Sequence, residues 1–384
     1  MIYPQSFLKT LLLSGVALSL IPLTGFGLAR ILGGDFFVDA RGGVEYDTNV
    51  TSSADGEEDF AIIFGPGFEY IRPDTRTQLR VAGTLEFLEF TQDEADDTVD
   101  WEVEASALLP IEGSPLTGSL EFSIGRTTES NSQVNTRIES LDIILQGNLT
   151  YQLRPKIALS STATFDYENP EIFSQNTELS LRNQIEVVEI IGQLGGFAGV
   201  EFERQSTEGA GGAAELTNNN IAVLFGINGQ LVPEGLFSKL DANLGFGFRT
   251  VNNTGGNGND ETIFVIDGSL IWQAREKTQV GVQGVRDIDL APNDTGVINT
   301  NFNLFVVQEI GNRTLARAEI GYEEDDFVGS GRTDDGYYIE LGAEFQANDS
   351  WSISAAWAFE DRESDAAIAN FDRHLLTAST VYRF

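Results

Sequence analysis

The sequence of 384 residues contains no cysteine and a single histidine. Without cysteine the chain has no disulfides, no thiolate metal ligands and no thiol nucleophile, and His374 alone cannot form a histidine-rich metal site. The chain has 59 acidic and 23 basic residues, a net charge of −36, and no run of Lys or Arg. Such a chain repels phosphates, so we expect no nucleic-acid partner. We also predict no cofactor and no bound metal.

Long apolar runs are absent as well, except at the N-terminus. There Lys9 precedes the apolar stretch Leu11–Ile21, and small residues follow at Gly27 and Ala29. This three-part layout is typical of a secretory signal. We therefore predict a signal peptide at residues 1–29 and a mature domain at residues 30–384. The alternative is a retained transmembrane anchor, because the segment is just long enough to span a bilayer.

After residue 34 no segment shows an apolar stripe of helical period, and the chain alternates with period two instead. Val99, Trp101 and Val103 share one parity, whereas Asp100 and Glu102 share the other. This pattern predicts a strand with one apolar and one polar face. The same alternation recurs over residues 141–151, 239–249, 337–345 and 351–360.

Two kinds of connection separate these strands. Short turns rich in Pro, Gly, Asn and Asp recur at intervals of 37 to 42 residues, near positions 72, 113, 154, 192, 233, 275, 312 and 349. Longer acidic or Gly/Asn-rich loops alternate with them, at residues 50–58, 92–97, 129–136, 169–175, 207–216, 251–260, 290–297, 328–334 and 361–370. Eight turns and nine loops predict eighteen strands of roughly 12 to 15 residues each.

A repeat near 40 residues also fits a β-propeller blade, and alternating strands also build soluble sandwiches. A blade, however, packs four short strands into that length, whereas each repeat here holds two long ones. Long loops at one end and short turns at the other are typical of outer-membrane barrels. In hydrocarbon every backbone polar group needs an internal partner, which a closed sheet supplies. We predict an all-β fold: a transmembrane antiparallel up-and-down β-barrel of about 18 strands in the bacterial cell outer membrane, with short periplasmic turns and longer acidic extracellular loops.

The last strand carries a second indication of this class. Leu376, Tyr382 and Phe384 occupy the same parity, and the chain finishes on the phenylalanine. This pattern resembles the C-terminal signature by which bacterial barrel proteins are recognised for membrane assembly. The resemblance implies the barrel-assembly machinery as a partner, together with outer-membrane lipid and lipopolysaccharide.

The first mature strands also resemble one family. The segments Gly43–Val50, Gly65–Tyr70 and Thr77–Val81 are similar to the opening of the putative β-barrel porin 2 family of bacterial outer-membrane proteins, in which a tyrosine, acidic or polar residues and Asn open the first loop. The resemblance extends in rhythm over nearly the whole mature chain. It implies an outer-membrane barrel, and, since some members are encoded beside exopolysaccharide synthesis genes, an export role.

If the apolar parity faces lipid, the polar parity lines the lumen, which eighteen strands make wide enough for water. Surplus carboxylates on that wall would favour cations. The alternative is that opposite charges simply pair across the wall. No loop is long enough to predict an inward-folded constriction. The predicted lining contains sixteen acids and six bases: Glu69, Arg76, Arg80, Glu86, Asp100, Glu102, Glu104, Glu121, Asp142, Asp166, Arg182, Glu186, Glu201, Glu203, Lys239, Asp241, Arg249, Asp267, Arg317, Glu319, Glu340 and Glu344.

These features predict a transport protein rather than an enzyme: a passive, weakly cation-preferring pore for small hydrophilic solutes. An accessory barrel for exopolysaccharide export is the alternative, with polysaccharide as the transported molecule, and a structural or adhesive surface barrel is a third. Outer-membrane hydrolases use a histidine with a serine or aspartate, but we interpret His374 as an interfacial residue beside lipid headgroups. The segment Gly255–Asp260 matches one copy of a calcium-binding repeat that needs tandem copies, so we interpret it as a flexible loop.

Overall fold

A closed antiparallel β-barrel of eighteen strands forms the molecule. In the computed structural model, residues 29–54, 56–73, 77–92, 97–109, 114–131, 136–172, 174–191, 193–208, 216–231, 239–253, 261–290, 296–328, 331–365 and 369–384 are described. The predicted signal peptide lies outside the described residues, apart from Ala29. Within those residues, no helix is long and apolar enough to cross a membrane.

The strands follow one another in chain order around the barrel. Strand β1 (Ala29–Ile31) is a short hairpin partner of β2 and precedes the barrel proper. The barrel strands are β2 (Gly34–Asp47), β3 (Asp59–Pro73), β4 (Gln78–Phe90), β5 (Thr98–Leu109), β6 (Leu116–Asn131), β7 (Thr136–Arg154), β8 (Ile157–Pro170), β9 (Gln175–Ile191), β10 (Leu194–Glu208), β11 (Leu216–Gln230), β12 (Leu240–Asn253), β13 (Glu261–Arg275), β14 (Thr278–Leu290), β15 (Gly296–Ile310), β16 (Thr314–Phe327), β17 (Arg332–Asn348), β18 (Trp351–Ser364) and β19 (Phe371–Arg383).

Each strand pairs antiparallel with its neighbours in sequence, and β19 closes the barrel on β2. The closing register runs from Leu375 opposite Asp47 to Arg383 opposite Asp39. The predicted fold class and the count of eighteen strands are therefore confirmed. The closed ring leaves no edge strand, so every strand finds ladder partners on both sides.

The connections at the two ends of the barrel differ less in length than the sequence pattern predicts. At the long-loop end the first loop, residues 48–58, is the longest connection, whereas only residues 132–135 and 328–331 separate their flanking strands. Polar segments that we predicted as loops there continue as paired strands beyond the apolar band, because strand pairing does not require apolar side chains. At the short-turn end, residues 231–239 separate β11 from β12, and the turn predicted near 233 lies outside the described residues.

Candidate functional site: the barrel interior

The two parities of each strand point to opposite sides of the wall. Phe248 is 60% exposed on the outer side, whereas its neighbour Arg249 is 3% exposed. Arg249 of β12 contacts Glu201 of β10 and Asp287 of β14, each two strands away. Side chains can meet across intervening strands only on the concave face of a curved sheet. The polar parity therefore lies inside the barrel, and the apolar parity forms the outer surface.

The strand registers place the predicted lining residues on this inner face, apart from Arg76, which lies outside the described residues. The inner residues on β3 to β9 are Glu69, Arg80, Glu86, Asp100, Glu102, Glu104, Glu121, Asp142, Asp166, Arg182 and Glu186, and those on β10 to β17 are Glu201, Glu203, Asp241, Arg249, Asp267, Arg317, Glu319, Glu340 and Glu344. Lys239 directly precedes β12. Their contribution to conduction stays a prediction.

Several arginines on the inner wall are each held by two or more carboxylates. The Arg80 guanidinium lies 2.7 Å from a Glu69 oxygen and 3.1 Å from a Glu104 oxygen. Arg383 extends this series of ion pairs, because it lies 2.9 Å from both Asp39 and Glu69. Opposite charges thus pair across strands, as the alternative interpretation of the lining predicts.

Arg249 is the centre of a buried cluster of charges. Its guanidinium lies 2.6 Å from a Glu201 oxygen and 2.9 Å from an Asp287 oxygen, and it also contacts Glu203. Glu201 is shared with Arg182, whose Nε lies 2.5 Å away. Burying charges costs much solvation energy, which close pairing of this kind offsets. The cluster holds more carboxylates than guanidinium groups.

Not every inner carboxylate is paired in this way. Glu121, Asp241 and Glu344 are exposed to the lumen, and within the described chain they form no ion pair. Asp241 lies at the start of β12 and Glu344 near the end of β17, so these two lie at the short-turn end. The inner wall therefore combines a cross-linked region with carboxylates that remain free to act on mobile ions.

A recess of about 240 Å³ opens on the inner wall between β9 and β14, and we call it the Phe197 recess. It is lined by Arg182, Gln184, Phe197, Leu224, Asn228, Asn243, Gly245, Arg249, Val265, Ile266, Asp267 and Asp287. Arg182 of β9 comes within 3.8 Å of Asp267 of β13. Four strand spacings of about 4.8 Å separate these strands along the wall, so the barrel curves tightly there.

The first loop folds inward, and our expectation that no loop narrows the lumen is wrong. Val50 is 2% exposed and packs with Ala61, Leu88 and Phe90, which all lie on the inner face. These apolar side chains on the inner face form a surface against which the first loop packs. The acidic residues that follow in this loop indicate a solvated segment, and only Val50 at its start indicates contact with an apolar surface.

Asp47 and Asn49 fix the conformation of the first loop. The Asp47 carboxylate accepts a hydrogen bond from the Asn49 backbone N–H at 2.9 Å, and the Asn49 amide caps Ser53 through both its oxygen and its nitrogen. Such side-chain to backbone bonds stabilise turns. A Cβ at Gly56 would lie 1.8 Å from the Asn49 oxygen, so a side chain there would displace the Asn49 amide from its bonds to Ser53. The residues that carry the family resemblance therefore build this turn.

Two contacts tie the first loop across the mouth, by which we mean the long-loop end of the lumen. The Ser52 and Ser130 hydroxyls lie 2.8 Å apart, although Ser130 belongs to β6. Arg373 of β19 donates to Ser130 at 3.0 Å and pairs with the 1% exposed Asp47 at 2.5 Å. The end of β6 therefore meets the seam strand β19, five strands away, and together with the first loop it narrows the mouth.

The remaining predicted residues lie on the outer surface or at the seam. Leu376, Tyr382 and Phe384 are exposed there, and the rings of Tyr382 and Phe384 pack edge to face at 5.0 Å. The His374 ring packs against Trp357 and Phe359, at centroid distances of 5.9 and 4.8 Å. In the described chain, no group of three or more His, Asp or Glu side chains is arranged to hold a metal ion.

These features define a closed eighteen-stranded barrel with an apolar outer surface and a charged interior. Residues 238–384 match the family model described as "Putative beta-barrel porin 2". The match confirms the resemblance to this family, on β12 to β19 rather than on the first strands. The family match and the barrel point to a bacterial outer-membrane location. No curated protein matches the sequence.

Several solved structures resemble this chain at low sequence identity. The FrpB iron transporter from Neisseria meningitidis (F3-3 variant) is 8% identical over 88% of this chain, with a TM-score of 0.47, and the chain spans 63% of its length. The ferric-catecholate import receptor Fiu from E. coli K12, in its open form, is 9% identical over 91% of this chain and 82% of its own, with a TM-score of 0.48. The outer membrane protein OpdK from Pseudomonas aeruginosa is 10% identical over 91% of this chain and 99% of its own, with a TM-score of 0.47.

Proposed function

We propose that this protein is an outer-membrane pore for the passive diffusion of small hydrophilic solutes, with a weak preference for cations. The family match supports a channel rather than an enzyme. The observation that carries the proposed selectivity is the set of lumen-exposed carboxylates at Glu121, Asp241 and Glu344, which form no ion pair within the described chain. Fixed charge on a pore wall raises the local concentration of ions of opposite sign.

The inward first loop is expected to make this pore narrow. Val50 and Ser52 occupy the mouth, and the buried charges around Asp47 hold them there. Small solutes would pass beside the loop, whereas larger ones would be excluded. We therefore expect a small single-channel conductance for a barrel of this strand number.

Single-channel recording in a planar bilayer tests both parts of the proposal. The purified barrel should conduct, and its reversal potential in a KCl gradient should show cation preference. Each of the variants Glu121→Gln, Asp241→Asn and Glu344→Gln should reduce that preference. Glu58→Gln is the matched control, because Glu58 accepts a hydrogen bond from Tyr46 on the outer face. Absence of conductance would overturn the pore, and anion preference would overturn its proposed selectivity.

The outer-facing end of β19 is proposed to serve assembly, with the barrel-assembly machinery as its partner. Phe384 is 56% exposed and its backbone N–H donates to Val38, so its ring can be recognised without disturbing the ladder. Phe384→Ala should slow insertion of the newly made chain. Phe248→Ala removes an equally exposed outer ring from the middle of the chain and should insert at the normal rate.

A further inference from the structure

The Phe197 recess contains an aromatic ring mounted flat on the inner wall. Phe197 of β10 extends over Gly226 of β11 and Gly245 of β12, which are register partners. A Cβ on Gly226 would lie 2.3 Å from the ring, and one on Gly245 would lie 3.3 Å from it. The ring therefore packs directly on the backbone of these two glycines, in the space that a side chain would fill. Its other side remains partly exposed and lines the recess.

Two side-chain amides lie beside this ring and have no hydrogen-bond partner among the described residues. Asn228 and Asn243 are directly opposite each other in the β11–β12 ladder, one inner rung from the glycine pair. Both side chains line the recess, and neither makes a hydrogen bond to any described residue. Each amide offers two donors and an acceptor. Polar groups that stay unused on a wall with so many ion pairs are available to a ligand.

The charged groups that line the recess balance one another. Arg182 and Arg249 contribute two positive charges, and Asp267 and Asp287 contribute two negative ones. Arg249 is occupied by its carboxylates, whereas the Asp267 side chain is 62% exposed and meets Arg182 only at 3.8 Å. Because Glu201 and Glu203 already pair with Arg182 and Arg249, an anionic ligand gains little from such a lining. A ligand whose groups both donate and accept hydrogen bonds can satisfy amides, guanidinium and carboxylate together.

We propose that the Phe197 recess is a binding subsite for a neutral saccharide. One sugar ring stacks its C–H face on Phe197, and its hydroxyl groups bond to Asn228, Asn243 and Asp267. The inference rests on the proposed pore, since a solute reaches the recess through the lumen. It adds to that function the class of solute that the wall selects.

Binding is measured by calorimetric titration of the folded full-length barrel in polyoxyethylene micelles, which contain no sugar. The probes are glucose, maltose and maltotriose. We expect all three to bind, with Phe197→Ala weakening maltose binding by about tenfold. Replacing one amide, in Asn243→Leu, should weaken binding by about threefold to tenfold.

Phe305 provides the matched control for the aromatic ring. It also lies on an inner glycine, since a Cβ on Gly281 would lie 2.1 Å from its ring, but it does not line the recess. Phe305→Ala should therefore leave maltose binding unchanged. Heat-modifiable mobility on gels verifies that each variant is folded before titration.

Three outcomes would overturn the subsite. The first is that no probe binds to the folded protein, and the second is that maltose binds equally to the Phe197→Ala variant. The third is that choline binds in competition with maltose and more tightly, which would define a cation site instead. Bilayer current separates this proposal from the pore: current without sugar binding rejects the subsite alone, and sugar binding without current rejects the pore.

Discussion

The two sides of the lumen satisfy their buried polar groups in different ways. On the side of β2, β3 and β19 the chain covers its own inner wall with the first loop, and the Asp47 carboxylate is enclosed between Arg373 and the Asn49 backbone. On the side of β9 to β14 no such segment covers the described wall, and Arg249 is enclosed by carboxylates from neighbouring strands.

This difference separates a structural use of polar residues from a functional one. Where the first loop covers the wall, its backbone groups bond to the polar side chains of the wall, as the Asn49 N–H does to Asp47. Where no loop covers the wall, the polar side chains that take no part in ion pairs remain accessible from the lumen, as Asn228 and Asn243 do. The covered side is therefore expected to control the width of the lumen, and the uncovered side to control which solutes are retained.

The largest effect is expected from Arg249→Met. This change leaves the buried Glu203 without its guanidinium partner and Glu201 with Arg182 alone, which should lower the free energy of unfolding by about 3–5 kcal/mol. The measurement is the urea midpoint of the barrel in lipid vesicles. Arg41→Met is the control, because the half-exposed pair of Arg41 with Glu86 should contribute at most about 1 kcal/mol. Equal midpoints for the two variants would contradict the importance of the buried cluster.

Arg373→Gln tests the covered side. It removes the ion pair with the buried Asp47 and the bond to Ser130, so the first loop should detach from the mouth. Leaving Asp47 unpaired should cost about 3 kcal/mol. Single-channel conductance should rise at the same time, whereas Arg249→Met should leave it nearly unchanged. If conductance stays at the wild-type value, the first loop does not limit the lumen.

A smaller effect is expected from Ser130→Ala, which breaks the link to Ser52 without removing a charge. The change removes this neutral hydrogen bond, which contributes about 0.5–1.5 kcal/mol, and the bond that Ser130 accepts from Arg373. The ion pair of Arg373 with Asp47 remains, so stability should fall less than in Arg373→Gln. The current should instead become noisier, because the first loop keeps its internal bonds but loses its anchor on β6. Thr150→Ala serves as the control, since its hydroxyl contacts Ser160 within the wall and away from the first loop.

Much of the fold follows from the alternation of side chains, and the interior follows only in part. Parity predicts that Glu201 and Glu203 lie inside, and the same odd positions include Phe197. The expectation that the apolar parity faces lipid does not identify this ring, because Phe197 is an aromatic residue on the inner parity. Its partners Gly226 and Gly245 come from two other strands, and a single sequence does not reveal which rungs align across a barrel.

The first loop shows the same limit. The spacing of Asp47 and Asn49 indicates a turn, and Gly56 agrees with it. The turn points inward because Val50 packs against Leu88 and Phe90. The sequence alternation predicts that Leu88 and Phe90 lie on the inner face, but it does not predict their contact with Val50. Cross-strand distances arise from closure and curvature, which have no local signature.

Closure also sets an order of events. The seam between β2 and β19 joins Asp47 to Arg373 and Asp39 to Arg383, partners 326 and 344 positions apart in the chain. Loops of that length close slowly, and contacts of high sequence separation form late. Until they form, β2 and β19 each present a row of unpaired backbone groups to their surroundings. The barrel is therefore most vulnerable to aggregation just before its final strand docks. The two seam ion pairs stabilise the closed barrel and so end this period.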